Sequence, residues 1–175
     1  MNILVLGRGG TGKTSWIRRL CTGEFSTVAK RSQVEGSDFT MSCTVHTNEG
    51  PFEMTFVEKL VVDDAELANY DAIIRFLEIG EDSNGLSALH DNVVYVLSKW
   101  DLRPYTPRQY REGDGMELFM PCTEYGYTQA IDVSAKHYHN VGLPVLRVLR
   151  NFHGEDLKLV PAPPERPALA YAQSG

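Results

Sequence analysis

The residues best suited to chemistry lie near the start of the chain, in a glycine-rich stretch that ends in a lysine and a threonine. Gly7 is separated by four residues from the run Gly12-Lys13-Thr14, which is the spacing of a phosphate-binding loop. Glycine allows left-handed dihedrals and close approach of the backbone, so several N–H groups can converge on one polyphosphate. Lys13 would reach the β- and γ-phosphates, and the Thr14 hydroxyl would hold Mg²⁺. The residues predicted to bind phosphate are Gly7, Arg8, Gly9, Gly10, Thr11, Gly12, Lys13, Thr14 and Ser15.

The segments on either side of this stretch have the patterns that such a loop requires. The apolar residues 3–6 predict a short buried strand before Gly7. Trp16, Ile17 and Leu20 have helical spacing after it. The start of a helix offers free N–H groups and the positive end of the helix dipole to an anion. A glycine-rich turn without a ligand is the alternative interpretation.

The overall composition is that of a single globular domain. The chain has 175 residues, of which 42% are hydrophobic and 23% charged, enough for one sizeable core. Its net charge of −6 argues against direct nucleic-acid binding and against a polybasic membrane patch. We expect no signal peptide, no membrane span and no prenylation box or other lipid anchor. A monomer in the cytoplasm, the nucleus or both is the resulting expectation.

The cysteines give no sign of a shared site. Cys21, Cys43 and Cys122 are far apart in the sequence, and no two of them have the spacing of a metal or redox motif. Their odd number also argues against a disulfide framework. We interpret them as separate thiols in a reducing compartment.

Strand and helix patterns alternate along the chain. The predicted strands cover residues 3–6, 39–46, 52–57, 72–77, 93–97 and 128–133. The second and third form a hairpin around the turn at 46–51. Residues 103–127 contain prolines and glycines and are predicted to be mainly loop. A last amphipathic helix begins near Leu143 and ends at Gly154.

This alternation predicts an α/β fold. We expect one domain over residues 1–155, with a mostly parallel six-stranded sheet, one antiparallel edge strand from the hairpin, and helices on both faces. Residues 156–175 contain several prolines and are predicted to be an extended proline-rich C-terminal tail. A ligand would bind at the carboxyl ends of the strands.

Two polar stretches follow predicted strands and can read a base. Asp101, in Ser98-Lys99-Trp100-Asp101, can accept two hydrogen bonds from the N1–H and the exocyclic amine of guanine, a pair that adenine lacks. The Lys99 stem can lie along the base, and the backbone N–H of Ala135 can meet guanine O6. Each stretch alone is a weak signal, because short polar runs after strands are common. The predicted base-binding residues are Ser98, Lys99, Asp101, Ser134, Ala135 and Lys136.

Together these segments resemble a known family. In order and spacing, residues 7–14, 98–101 and 134–136 resemble the phosphate-loop, base-specificity and second base-contact motifs of Ras-superfamily small GTPases. Within that superfamily the chain looks most like the Ran branch. The segments that carry this second likeness are 22–25, 46–51, 132–136 and 161–165.

The resemblance has implications for fold, ligands and partners. It implies a small GTPase-like P-loop G domain that binds GTP or GDP with Mg²⁺. It also implies protein partners that contact two switch loops. Those of the Ran branch are importin- and exportin-type transport receptors, exchange factors and activating factors.

The third motif of the family is altered. The pattern Asp-x-x-Gly, usually followed by Gln, is replaced by Glu-Lys-Leu-Val-Val at 58–62. Glu58 can stand in for the aspartate that contacts Mg²⁺ through water. Val61 takes the position of the glycine whose N–H meets the γ-phosphate. Val62 takes the position of the glutamine that orients the attacking water. We therefore expect impaired hydrolysis and assign no catalytic residue.

Two further positions depart from the family pattern. In the first switch, Ser32 is the candidate for the Mg²⁺-binding hydroxyl, with Thr27 as its rival. Ser98 stands where the base motif usually has asparagine, which braces neighbouring loops. We expect this change to weaken nucleotide binding without altering the choice of base.

These features favour a Ran-like guanine-nucleotide-binding protein with impaired hydrolysis. A conventional GTPase switch in nucleocytoplasmic transport is the first alternative, and a nucleotide-independent binding module that keeps a Ran-like surface is the second. A small-molecule kinase is disfavoured, because its lid would need more arginines than Arg103, Arg108 and Arg111.

Overall fold

The computed structural model describes residues 1–26, 38–77, 90–99, 117–122 and 126–163. The strands are β1 (Asn2–Leu6), β2 (Phe39–Thr47), β3 (Gly50–Lys59), β4 (Ala72–Leu77), β5 (Val93–Leu97), β6 (Glu117–Cys122) and β7 (Gly126–Asp132). The helices in these ranges are α1 (Lys13–Thr22), α2 (Asp64–Leu67) and α3 (Leu143–His153).

The strands form one mixed sheet in the order β2-β3-β1-β4-β5-β7-β6. The five central strands are parallel, whereas β2 and β6 are antiparallel to their neighbours at the two edges. The α/β class, the mostly parallel sheet and the antiparallel hairpin strand are thus confirmed. All six predicted strands are present.

Strand β6 is additional and lies within residues 103–127, so the loop prediction was wrong for this part. Proline and glycine in that stretch suggested a turn. Pro121 is nevertheless compatible with β6, because an edge strand tolerates a residue without a backbone N–H.

The interior strand β1 pairs with β3 and β4 along its edges, and both of its faces are buried. Ile3 and Val5 contribute to a core shared with α1 and α3, whereas Leu4 and Leu6 belong to a separate core on the other face with Leu67 of α2. Both long helices described here therefore cover the same face. On the other face, α2 provides one helical turn.

Trp16 attaches α1 to the sheet and to the segment after β7. Its fully buried ring makes edge contacts with Phe56 and Phe76, at centroid distances of 5.7 and 5.5 Å. Its indole N–H donates to the Val141 carbonyl over 2.9 Å. A buried indole needs such a partner, so α1 is fixed both by packing and by one directional bond.

The segment after α3 lies along the β2–β3 turn. The α3 helix ends before Gly154, as predicted. Beyond it Leu157 is fully buried in the main core. The Val160 N–H donates to the His46 carbonyl over 2.9 Å, and Lys158 and Asn48 are joined by two further hydrogen bonds. Residues 156–160, which we had assigned to the tail, thus contribute to the packing of the domain.

Within the residues described, no helix is both long enough and apolar enough to cross a bilayer.

We predict that Leu157→Ala lowers the free energy of unfolding by about 2–5 kcal/mol, because it leaves a cavity in the main core. Val160→Ala is the matched control. Val160 is 40% exposed, so its truncation should cost about 0.5 kcal/mol or less. Urea denaturation of both variants gives the comparison. A loss of unfolding free energy in Leu157→Ala that is no larger than the small loss expected for the control would contradict a stabilising role of Leu157.

Candidate functional site

The loop between β1 and α1 depends on glycine at three positions. Gly7, Gly10 and Gly12 have φ angles of +148°, +80° and +94°, which L side chains rarely adopt. Gly12 caps α1, and its carbonyl accepts the first helical hydrogen bond from Trp16. The glycine spacing recognised in the sequence therefore corresponds to real backbone requirements. Arg8, Gly9 and Gly10 are exposed, where a ligand can reach them.

Lys13 is directed back into this loop. Its ammonium donates to the carbonyls of Gly7 and Arg8 over 2.7 and 2.9 Å. It also lies 3.6 Å from the Glu58 carboxylate, and both side chains are almost fully buried. Burial lowers the pKa of Lys13; the nearby Glu58 opposes this, and the charge of Arg75 adds to it. A phosphate oxygen entering the loop would meet a cation held at its base.

Thr14 and Glu58 place two oxygens side by side next to this cation. The Thr14 hydroxyl donates to Glu58 over 2.6 Å. Strand pairing sets Glu58 opposite Val5, at the end of β1 that leads into the loop. Adjacent ligands of an octahedral Mg²⁺ at about 2.1 Å are about 3.0 Å apart. These two oxygens therefore fit Mg²⁺ as neighbouring ligands after a small adjustment.

Lys59 holds the end of β3 against its neighbours. Its ammonium lies 3.0 Å from Glu66 and 3.4 Å from Asp38. The hydrogen bond to Glu66 is the main reason why the pKa of Lys59 is raised, so Lys59 stays charged at neutral pH. After Lys59, the Val61 side chain is 80% exposed. Val62 instead packs against the core cluster that contains Leu67. The Val61 side chain is thus open to solvent.

Ser98 and Lys99 lie directly against the phosphate loop. The Ser98 hydroxyl donates to the Thr11 carbonyl, and a Cβ on Gly12 would lie 3.4 Å from Ser98 Oγ and 3.9 Å from Lys99 Cε. Ser98 therefore braces two neighbouring loops, which is the role attributed above to the asparagine that usually stands at this position. Lys99 has a left-handed φ of +58°, which turns the chain sharply after β5.

The second predicted base-contact stretch is a closed turn beside the first. Val133 donates to the Leu97 carbonyl over 2.9 Å, so the ends of β7 and β5 are adjacent. Ser134 is fully buried and exchanges two backbone hydrogen bonds with His139, each of 3.0 Å. Ala135 is half-buried and Lys136 is exposed. The base of the turn is thus held by the Ser134–His139 hydrogen bonds, whereas its tip at Lys136 is exposed.

Several predicted site residues lie outside the described residues. They are Thr27, Ser32 and Asp101. Their assignments remain predictions. Within the described ranges, the phosphate loop, Glu58, Ser98–Lys99 and the 134–136 turn gather at the carboxyl ends of parallel strands, where a ligand was expected.

Arg75 is a residue that the sequence analysis missed. It lies on β4, opposite Leu6 of β1, and its charge contributes to lowering the pKa of Lys13. We read residues 72–77 only as an apolar strand. A single arginine inside such a strand was the signal, because Arg75 is half-buried and a charge withdrawn from water needs a partner.

Neither a protein-family model nor a curated protein sequence matches the chain significantly.

We predict that Gly7→Ala destabilises the protein by about 1–3 kcal/mol, because it adds an atom in a filled space. The new Cβ would lie 2.7 Å from the Phe76 carbonyl oxygen, and the backbone angle there disfavours a side chain. Gly9→Ala is the control, since its Cβ would meet nothing within 4 Å. Chemical denaturation measures both, and an unchanged stability of the Gly7 variant would contradict this account of the loop.

Proposed function

We propose that this protein is a Ran-like guanine-nucleotide-binding protein with impaired GTP hydrolysis, built on a small GTPase-like G domain with helices on both faces. One observation carries the proposal. The buried ammonium of Lys13, the adjacent Thr14 and Glu58 oxygens, and the Ser98–Lys99 segment converge on a single glycine-rich loop.

The polyphosphate would bind over the loop and the start of α1. There the exposed backbone of residues 8–10 and the free N–H groups of the helix favour an anion. Lys13 would exchange the carbonyls of Gly7 and Arg8 for phosphate oxygens. Mg²⁺ neutralises phosphate charge when it is bound. Thr14 and Glu58 are the described residues that would hold it, and Ser32 is the proposed contribution from the first switch.

The base would bind between the ends of β5 and β7. Lys99 lies beside Gly12, so its stem can follow the nucleotide away from the phosphates. Asp101 is the proposed reader of guanine, and Ala135 the proposed donor to O6. Ser134 and Lys136 would shape and flank that contact. Guanine preference is therefore attributed to the carboxylate of Asp101.

Slow hydrolysis follows from the residues after Glu58. Val62 packs against Leu67 and has no polar atom in its side chain with which to orient water. Val61 brings a branched side chain to the position of a family glycine. Both residues favour a protein with slow GTP hydrolysis. A conventional GTPase switch is the alternative.

Protein partners would contact the exposed residues that follow Glu58. Leu60 and Val61 are 51% and 80% exposed and immediately follow the candidate Mg²⁺ ligand Glu58. Transport receptors, exchange factors or activating factors in the cytoplasm or nucleus are the proposed partner classes.

We predict that GTP and GDP, but not ATP, displace a fluorescent GDP from the stripped protein in Mg²⁺. Lys13→Ala should weaken binding by about 100-fold or more, since each 1.4 kcal/mol is tenfold and the variant loses a charge-assisted phosphate contact. Lys158→Ala is the charge-matched control, because Lys158 lies by the β2–β3 turn. Equal displacement by ATP would refute the role of Asp101. No binding of any nucleotide would refute the proposal.

We predict a single-turnover rate of GTP hydrolysis below about 10⁻⁴ s⁻¹, slower than the intrinsic rate of an ordinary small GTPase. Val62→Gln should raise that rate without changing GDP affinity, because it restores a side chain that can orient water. Rapid quench of preloaded protein provides the measurement. An ordinary rate in the unaltered protein would favour the conventional switch.

A nucleotide-independent binding module is the second candidate. The loop carbonyls and Glu58 already satisfy Lys13, so the loop can keep its shape through internal contacts alone. This candidate predicts that partner binding survives when the nucleotide is stripped from the unaltered protein, whereas the main proposal predicts that it is lost.

A further inference from the structure

The chain leaves the domain after α3 in a proline-rich stretch that the proposed function does not use. Four of the nine prolines of the chain lie within residues 161–167, which read Pro-Ala-Pro-Pro-Glu-Arg-Pro. Residues 161–163 are exposed and belong to no helix or strand, and residues 164–167 lie outside the described residues. The start of the stretch is therefore accessible to another protein.

The domain holds the residues that lead into this stretch. Leu159 forms an isolated antiparallel bridge with Thr47, and the Val160 N–H donates to the His46 carbonyl over 2.9 Å. The Val160 side chain is 40% exposed, so it can be contacted while its backbone stays bonded. From the turn after β2, β3 runs toward Glu58, a length of about 26 Å at about 3.3 Å per residue. The stretch thus begins at the end of the sheet opposite to the candidate site.

The order of the prolines favours an extended backbone. Proline fixes its own φ near the value of a polyproline II helix, and the residue before a proline is also kept from the helical region. Within residues 160–167, every residue except Glu165 is a proline or directly precedes one. A segment with this bias loses little conformational entropy when a partner holds it extended.

The period of a polyproline II helix sorts these residues onto three edges. Such a helix has three residues per turn, so residues three apart share an edge. Two neighbouring edges carry the prolines, the valine and the arginine, which are Pro161, Pro164 and Pro167 on one and Val160, Pro163 and Arg166 on the other. The third edge carries Ala162 and Glu165. A groove that contacts the first two edges would meet two pairs that each end in proline, and then the Arg166 guanidinium.

We propose that residues 160–166 are a docking motif for an SH3-type domain, which has a groove lined by aromatic side chains with carboxylates beside it. Such grooves bind PxxP segments because the polyproline II helix is formed in advance. The pairs 160–161 and 163–164 would pack between the aromatic rings. Arg166 would donate to the carboxylates through its planar fork of N–H groups. The inference goes beyond the proposed function and does not depend on it.

The single arginine gives the motif a direction. Arg166 follows the second proline pair, and Glu165 before it lies on the edge that faces away from the groove. A partner with a neutral pocket beside its aromatic groove would gain nothing from the guanidinium. The motif therefore selects domains whose pocket is acidic.

The binding test uses the full chain and a panel of purified, isotope-labelled SH3 domains, each with carboxylates beside its aromatic groove. We expect the chain to shift the NMR signals of the groove residues of at least one domain, with a Kd below about 1 mM. Changing the pocket carboxylates of that domain to amides should weaken binding by about tenfold. Shifts that lie outside the groove in every domain, or no saturable shift in any, would overturn the proposal.

Variants of the chain test the assignment of the edges. Pro164→Ala and Arg166→Ala should each weaken binding by about tenfold. Glu165→Ala is the matched control, since it truncates the neighbouring residue on the third edge, and it should not weaken binding. Urea denaturation checks that each variant keeps the fold. Unchanged binding by Pro164→Ala, or equal losses in Arg166→Ala and Glu165→Ala, would overturn the motif.

Discussion

The ammonium of Lys13 is the constraint around which this end of the molecule is arranged. A buried charge without partners would cost several kcal/mol, and three groups prevent that cost. The carbonyls of Gly7 and Arg8 accept its hydrogen bonds, and the Glu58 carboxylate supplies the opposite charge. The loop must curl tightly to present those carbonyls, so it needs glycine. Strand β3 must pair with β1 in one register to deliver Glu58.

The aromatic core behind the loop keeps these parts in place. Trp16 lies one helical turn after the loop and contacts Phe56 and Phe76, from β3 and β4. Its hydrogen bond to Val141 adds the segment that follows β7. Loops that would carry function are thus supported by rigid elements, as a precise binding site requires. Val61 is 80% exposed, so a change of its side chain would leave this support intact.

The sequence predicted what depends on local order and missed what depends on tertiary contact. Gly7 and Gly12 were recognisable because one short loop sets their spacing, and buried strands such as β5 were recognisable from continuous apolar runs. Strand β6 was missed because Pro121 is a strong local signal for a turn, yet the edge of a sheet accepts it. The burial of Leu157 leaves no periodic trace in the sequence. It arises because the segment after α3 packs against distant parts of the chain.

Glu58 links the two halves of the proposed site. Its side chain contacts the Thr14 hydroxyl directly and is also the counter-charge of Lys13. Phosphate oxygens that approach Lys13 would meet this carboxylate, and two anions sharing one ammonium repel each other. A divalent cation between Glu58 and the phosphates removes the repulsion. Under the proposed function, nucleotide and Mg²⁺ therefore bind together. Glu58 lowers the affinity for a nucleotide that carries no Mg²⁺.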